Sequence, residues 1–204
     1  IVSRDWSSDV CSSDLTAGIA AREMEVLGFS VRTGIGRTGV IAELHNGEGP
    51  VIALRADMDA LPIQEENTHD FVSQNPGVMH ACGHDGHVAG LIGAARILAV
   101  KRDSGLLPSG TIRFIFQPSE EATDDEGKSG AMRMVDEGVM GGVDAVVGLH
   151  LGGPLPAGKI FFAAGPIMAG AAEIHIEVLG KSSHAGMPEA GVDALVLEIG
   201  RAHV

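Results

Sequence analysis

The apolar residues of the chain change period along its length, and the changes mark its elements. From Gly86 onward Val88, Leu91, Ile92, Ala95 and Leu98 recur at helical spacing, which predicts an amphipathic helix. Ala17–Leu27 has helical composition and stops at Gly28, and Gly130–Glu137 reads as a helix stopped by Gly138. Gly39–His45, Val51–Ala56, Thr111–Phe116 and Asp144–Leu149 are apolar runs of strand length. The Asn46–Pro50 turn between the first two of these predicts a hairpin. From Val51 the order is strand, helix, strand, helix, strand. That order predicts an α/β fold with a partly parallel sheet and flanking helices.

Beyond residue 150 the pattern loosens. Pro154, Pro156 and Gly158 punctuate a loop, Lys159–Ala163 reads as a short strand, and Gly165–Gly170 reads as a linker. Glu173, His175 and Glu177 then alternate with Ile174, Ile176 and Val178, as in a half-exposed strand. A new domain is therefore expected to open near Ala169. The expected organisation is a first, partial α/β domain over 16–168 and the start of a second α+β domain over 169–197.

Both termini read as foreign to the fold. Asp9–Leu15 can be written in codons as GAC GTG TGC TCT TCC GAT CTC, and the reverse complement of that string translates as Glu-Ile-Gly-Arg-Ala-His-Val, which is Glu198–Val204. An antisense match of this kind is the mark of a sequencing adapter left on both ends of an assembled fragment. Residues 1–15 and 198–204 are accordingly expected to be non-native.

Composition narrows the function. The 204 residues are 45% hydrophobic and carry a formal net charge of -13, so nucleic acid and anionic membrane surfaces are excluded as expected partners. Apolar runs are broken by glycine well short of the roughly 20 residues that cross a bilayer, and the expected location is cytoplasmic. With the foreign ends set aside, Cys82 is the one remaining cysteine, so no disulfide framework is expected.

The reactive side chains gather where an open α/β sheet collects ligands, beyond the carboxyl ends of its strands. Asp57 and Asp59 follow the strand ending at Ala56, Glu120 and Glu121 follow Phe116, and His150 follows Leu149. Cys82 and His84 sit in the loop before the Gly86 helix. Thiolate, imidazole and carboxylate together suit a borderline divalent metal such as zinc, manganese, cobalt or nickel. Adjacent Glu120 and Glu121 invite a division of labour, because neighbouring side chains of an extended segment point different ways. One can hold a metal while the other takes a proton from attacking water, as metal-assisted amide hydrolysis requires. Gly127-Lys128-Ser129 lacks the earlier glycine of a phosphate loop, Ala122 standing in its place, and reads as a turn before a helix. Two rivals stay open: Cys82 as a nucleophile activated by His84, and a non-catalytic metal-binding or dimerisation module.

Five ordered motifs carry a family resemblance. They are Arg55-Ala-Asp-Met-Asp-Ala-Leu-Pro62, Met79-His-Ala-Cys-Gly-His-Asp85, Gln117-Pro-Ser-Glu-Glu121, Gly148-Leu-His150 and Gly180-Lys-Ser-Ser-His-Ala-Gly-Met-Pro188. In order and spacing they resemble the two-metal amidohydrolases, a family of hippurate hydrolase, auxin-conjugate hydrolases and N-acyl-amino-acid deacylases with aminoacylase and carboxypeptidase relatives. The resemblance implies a zinc-exopeptidase-like catalytic domain and two divalent metal ions. It implies Cys82, His84, Glu121 and His150 as metal ligands, Glu120 as general base, and Asp59 as a carboxylate that orients the site from behind. It further implies an inserted lid that dimerises, with His184 reaching the partner subunit's site to polarise the scissile carbonyl. The implied substrate is a small N-acyl or N-aroyl amino acid, and a dipeptidase or carboxypeptidase activity is the alternative. Family members are longer and draw one more histidine ligand from beyond this chain, so weak or no activity is expected of these residues alone.

Overall fold

The computed structural model describes residues 6–168, 170, 174 and 176–201. The chain divides into two compact units, 1–154 and 155–204. In the first unit α1 (Trp6–Val26) leads into β1 (Ser30–Ile35), β2 (Gly39–Asn46), β3 (Val51–Asp57), α2 (His84–Asp103), β4 (Gly110–Gln117), α3 (Gly130–Asp136) and β5 (Ala145–Gly148). The five strands form one mixed sheet in the order β1-β2-β4-β3-β5. β4, β3 and β5 run parallel, and β2 and β1 are antiparallel to their neighbours.

The expected hairpin between β2 and β3 does not form. β4 lies between them, pairing antiparallel with β2 from Val40↔Phe116 to Asn46↔Gly110 and parallel with β3 from Val51↔Thr111 to Asp57↔Gln117. The reason lies in β4 itself. Phe114 and Phe116 are buried on one face and Ile115 on the other, so the strand belongs at the centre, where both edges must be hydrogen-bonded. Truncating either phenylalanine to alanine would cost on the order of 3–5 kcal/mol. The turn after β2 therefore carries the chain one strand further, and Thr111 N donates to Pro50 O at 2.9 Å to close the gap.

Residues on alternate sides of the strands build two cores. Val40, Ala42, Leu44, Phe114 and Phe116 meet Ala20 and Met24 of α1 and Val88, Leu91 and Ala95 of α2 on one face. Ile41, Ala53 and Ile115 meet Met134 of α3 and Val139 on the other. α1 starts at Trp6, well before the expected Ala17, and takes in most of the segment read as foreign. β1 has no strand pattern in the sequence: Gly34 interrupts its alternation, and only Val31 and Ile35 are partly buried.

In the second unit the described residues hold a short 3-10 turn (Pro188–Ala190) and α4 (Ala194–Arg201). Lys159–Ala163 is not a strand; these residues are exposed, and no described segment pairs with them to satisfy a ladder. Of the alternating Glu173–Val178 stretch, Glu173 and His175 lie outside the described residues, as does Ala169. No described helix is long and apolar enough to cross a membrane.

Candidate metal centre

The carboxyl ends of β3 and β4, the first turn of α2 and the loop after β5 converge. β3 delivers Asp57, and Met58 N donates to Gln117 O at 2.9 Å, extending the pairing so that Asp59 projects beneath the loop after β4. Asp59 is buried and serves two elements at once. Its Oδ2 accepts the backbone amides of Glu120 and Glu121 at 2.9 and 3.0 Å. Its Oδ1 and carbonyl oxygen take His84 Nδ1 at 3.2 and 2.9 Å.

Local backbone geometry explains how these side chains are presented. Gly83 caps α2 with φ 86, a left-handed conformation natural to glycine, and His84 opens the helix. Ser119 holds φ 43 immediately before Glu120. That turn is clamped from α3: Gly130 N donates to Ser119 O at 2.9 Å, and a Cβ on Gly130 would collide with the Pro118 carbonyl. The reading of Gly127-Lys128-Ser129 as a turn before a helix agrees with the structure, where the Ser129 side chain caps α3 by accepting Met132 N.

The hydrogen bonds decide which nitrogens are available. A backbone carbonyl only accepts, so His84 Nδ1 beside Asp59 O carries a proton, and in the neutral ring Nε2 is the nitrogen with the free lone pair. His150 repeats the arrangement, with Nδ1 donating to Leu151 O at 2.7 Å and Nε2 lying 3.5 Å from Cys82 Sγ. His84 Nε2 faces Glu121 Oε1 at 3.7 Å and Asp57 Oδ2 at 3.6 Å. Both His84 Nε2 and Glu121 Oε1 are buried without a hydrogen-bond partner. Ligand atoms of Cys82, His84 and His150 lie within 4.8 Å of one another, as do those of His84, Glu120 and Glu121, so His84 joins the two groups. Asp57, His84 and His87 meet the same distance condition, but His87 is fully engaged: Nδ1 donates to Asp57 at 2.5 Å and Nε2 accepts Leu151 N at 2.8 Å.

Charge is out of balance here. Burial, a hydrogen bond to Glu121 and the charges of Glu121, Glu120 and Asp57 push the Cys82 thiol up to about 11. A thiol so placed is not a nucleophilic thiolate at neutral pH, which removes the support for Cys82 as nucleophile unless a cation offsets the acids. Burial and the neighbouring Glu121 and Asp57 raise the Glu120 carboxyl above its ordinary value. Asp57 is held low: burial works to raise it, but the His87 hydrogen bond and the charges of Arg55, His84 and His87 prevail. For His84 burial works to lower the value, and the Asp59 bond with the Asp57 and Asp59 charges raises it. The donors present fit divalent cations: unpartnered nitrogen and oxygen, a thiol, and carboxylates in excess.

The structure brings Cys82, His84, Glu120, Glu121, His150 and Asp59 to one edge. His184 belongs to the second unit, where it is exposed and its Nδ1 accepts Gly186 N at 3.0 Å. Two further residues join this edge: Asp57, which the sequence places at the end of its strand without a role, and His87. Their signals were there: Arg55 and Asp57 share one face of β3, and His84 and His87 lie three apart on α2.

Residues 53–202 match the family described as peptidase family M20/M25/M40. The chain is 51% identical to N-acyl-L-amino acid amidohydrolase of Geobacillus stearothermophilus over 162 residues, covering 79% of this chain and 42% of that protein. It is 44% identical to IAA-amino acid hydrolase ILR1-like 2 of Arabidopsis thaliana, covering 89% of this chain and 39% of that one. Among solved structures it resembles the Bacillus subtilis YXEP protein, a dinuclear metal binding peptidase from the M20 family, with TM-score 0.63 and 43% identity over 70% of this chain and 38% of that one. The chain thus spans less than half the length of these relatives. With a match over that much of its length, and with the donor set above, the chain belongs to peptidase family M20/M25/M40.

Proposed function

We propose that this chain carries most of the ligand set of a two-metal amidohydrolase that cleaves the amide bond of N-acyl or N-aroyl amino acids. The observation that carries the reading is the buried pair His84 Nε2 and Glu121 Oε1, which lack partners and share an edge with Cys82 and His150. Cys82, His84, Glu121 and His150 would hold the cations, completed by a ligand from outside these residues. Bound divalent metal would polarise the amide carbonyl and acidify water. Glu120, kept free of the ligand set, takes the proton from the attacking water and passes it to the leaving nitrogen as the C–N bond breaks. Its raised affinity for protons suits it to hold that proton between the two steps. Asp59 keeps Glu120 and His84 in mutual register through its two oxygens. His184 is assigned to the carbonyl oxygen of a partner subunit's substrate, and residues 169–197 to a lid through which the protein dimerises in the cytoplasm. The substrate class rests on the names of the relatives at 51% and 44% identity. The test is release of free amino acid from N-acetyl and N-benzoyl amino acids by the protein at the length of its relatives. Turnover is expected to vanish on chelation and to return with manganese, zinc, cobalt or nickel. Full turnover after complete demetallation would overturn the reading, and cleavage of dipeptides in preference to N-acyl amino acids would move it to a peptidase.

A further inference from the structure

Behind the ligands runs a chain of polar contacts, buried where Asp57 meets His87 and part-buried elsewhere. Gln117 Oε1 accepts from Arg55 Nε at 2.9 Å, and Arg55 Nη1 donates to Asp57 Oδ2 at 2.7 Å. Asp57 Oδ1 accepts from His87 Nδ1 at 2.5 Å, and His87 Nε2 accepts the amide of Leu151 at 2.8 Å. The path links the end of β4, the end of β3, the first turn of α2 and the loop after β5. His87 and Asp57 are 4% and 1% exposed, so losing either bond would leave a buried group unsatisfied.

A second feature converges on the same point. The Leu151 side chain lies over the glycines that start α2. A Cβ on Gly83 would sit 3.5 Å from Leu151 Cβ, and one on Gly86 would collide with Leu151 Cδ1. Leu151 is thus held by its amide on His87, and its half-exposed side chain leans over the space left open by Gly86. His150 is the residue before it, and its Nδ1 bonds to the Leu151 carbonyl. The His150 ring also meets His87 edge-on, with centroids 4.6 Å apart.

We propose that His87 is a positioning residue: anchored by Asp57, it seats Leu151 against Gly86 and so holds His150 Nε2 opposite Cys82. His87 is not itself a ligand, because both of its nitrogens are occupied. The inference rests on the reading of Cys82, His84 and His150 as ligands.

The experiment is a Co²⁺ titration of this chain, following the thiolate-to-cobalt charge-transfer band, with circular dichroism of each variant as the check on folding. Affinity in His150→Ala sets the level without that ligand. His87→Asn keeps a donor towards Asp57 but cannot reach Leu151. It is expected to weaken binding about 10–100-fold. His87→Gln places an acceptor near the Leu151 amide and is expected to restore most of that loss. Gly86→Val, which leaves His87 intact and fills with a branched side chain the space that Leu151 Cδ1 and Cγ approach, is expected to weaken binding similarly, and it serves as the decisive variant if His87→Asn does not fold. In the His150→Ala background both His87→Asn and Gly86→Val are expected to add little, since their effect passes through His150. Fully additive losses, or no loss from either variant, would overturn the positioning role while leaving the ligand reading intact. Unchanged cobalt affinity in His150→Ala would overturn the ligand reading and this inference with it.

Discussion

Two polar clusters of the first unit leave their acids in different circumstances. Asp124 has no exposed side-chain surface, yet Arg133 and Arg37 reach it, and the amides of Lys128 and Glu126 donate to its Oδ1. Burial works to raise its pKa, and these partners hold it below the ordinary carboxylate value. At the strand ends Asp57, Asp59, Glu120 and Glu121 share one region with the Arg55 guanidinium, and two buried ligand atoms have no partner. Both clusters bear the cost of desolvation. At Asp124 the chain itself recovers it; at the strand ends it does so for Asp57, through His87 and Arg55, but leaves the Glu120 carboxyl raised and Glu121 Oε1 without a partner. A balanced polar cluster staples the loop after β4 to α3, whereas the unbalanced one keeps donors that suit a cation from outside.

The largest expected effect breaks the second cluster at its proton-transfer group. In the protein at the length of its relatives, Glu120→Gln should lower turnover by about 10²–10⁴ while metal content stays unchanged, as measured by steady-state kinetics and elemental analysis. Undiminished turnover would remove Glu120 from the proton transfers.

Supplying the missing charge should stabilise the strand-end cluster. Zinc at about 100 times its dissociation constant adds about 2.7 kcal/mol of stability. For a chain of this size that is a rise of roughly 5–10 °C in thermal midpoint. Chelator should reverse the rise, and a Cys82→Ser, His84→Ala double variant should not show it.

Asp59→Asn tests the organiser of the site rather than a ligand. It replaces the carboxylate that serves His84 and the Glu120 and Glu121 amides, and metal affinity should fall about 10–100-fold in a competition titration against a chromophoric chelator. An unchanged affinity would show that the loop after β4 needs no anchor there.

The smallest effect sharpens the contrast from the other side. Asp124→Asn should lower the thermal midpoint yet leave metal affinity as in the parent. Because the folded-state pKa of Asp124 is depressed, its stabilisation is present above the unfolded value of about 3.9 and lost as pH falls through the folded value. The midpoint gap between parent and variant should therefore be widest near neutral pH and close below about pH 4.

The amino-acid sequence by itself determined the order of strands and helices from β3 to β5 and the residue types available at their ends. Periodicity is a local property, so Val88 through Leu98 and Thr111 through Phe116 could be recognised without knowing what they touch. The motif residues from Asp59 to His150 were legible for a similar reason, because each stands just past a recognisable strand or just ahead of a recognisable helix. Strand neighbours were not legible. The hairpin expected at Asn46–Pro50 gave way to β4 because a strand with Phe114 and Ile115 on opposite faces takes the centre of the sheet, and that depends on two segments remote in sequence. Tertiary structure alone decided which imidazole nitrogens are free. His84, His87 and His150 are chemically identical as letters; only the carbonyls of Asp59 and Leu151, the Asp57 carboxylate and the Leu151 amide distinguish them, by fixing where each ring keeps its proton.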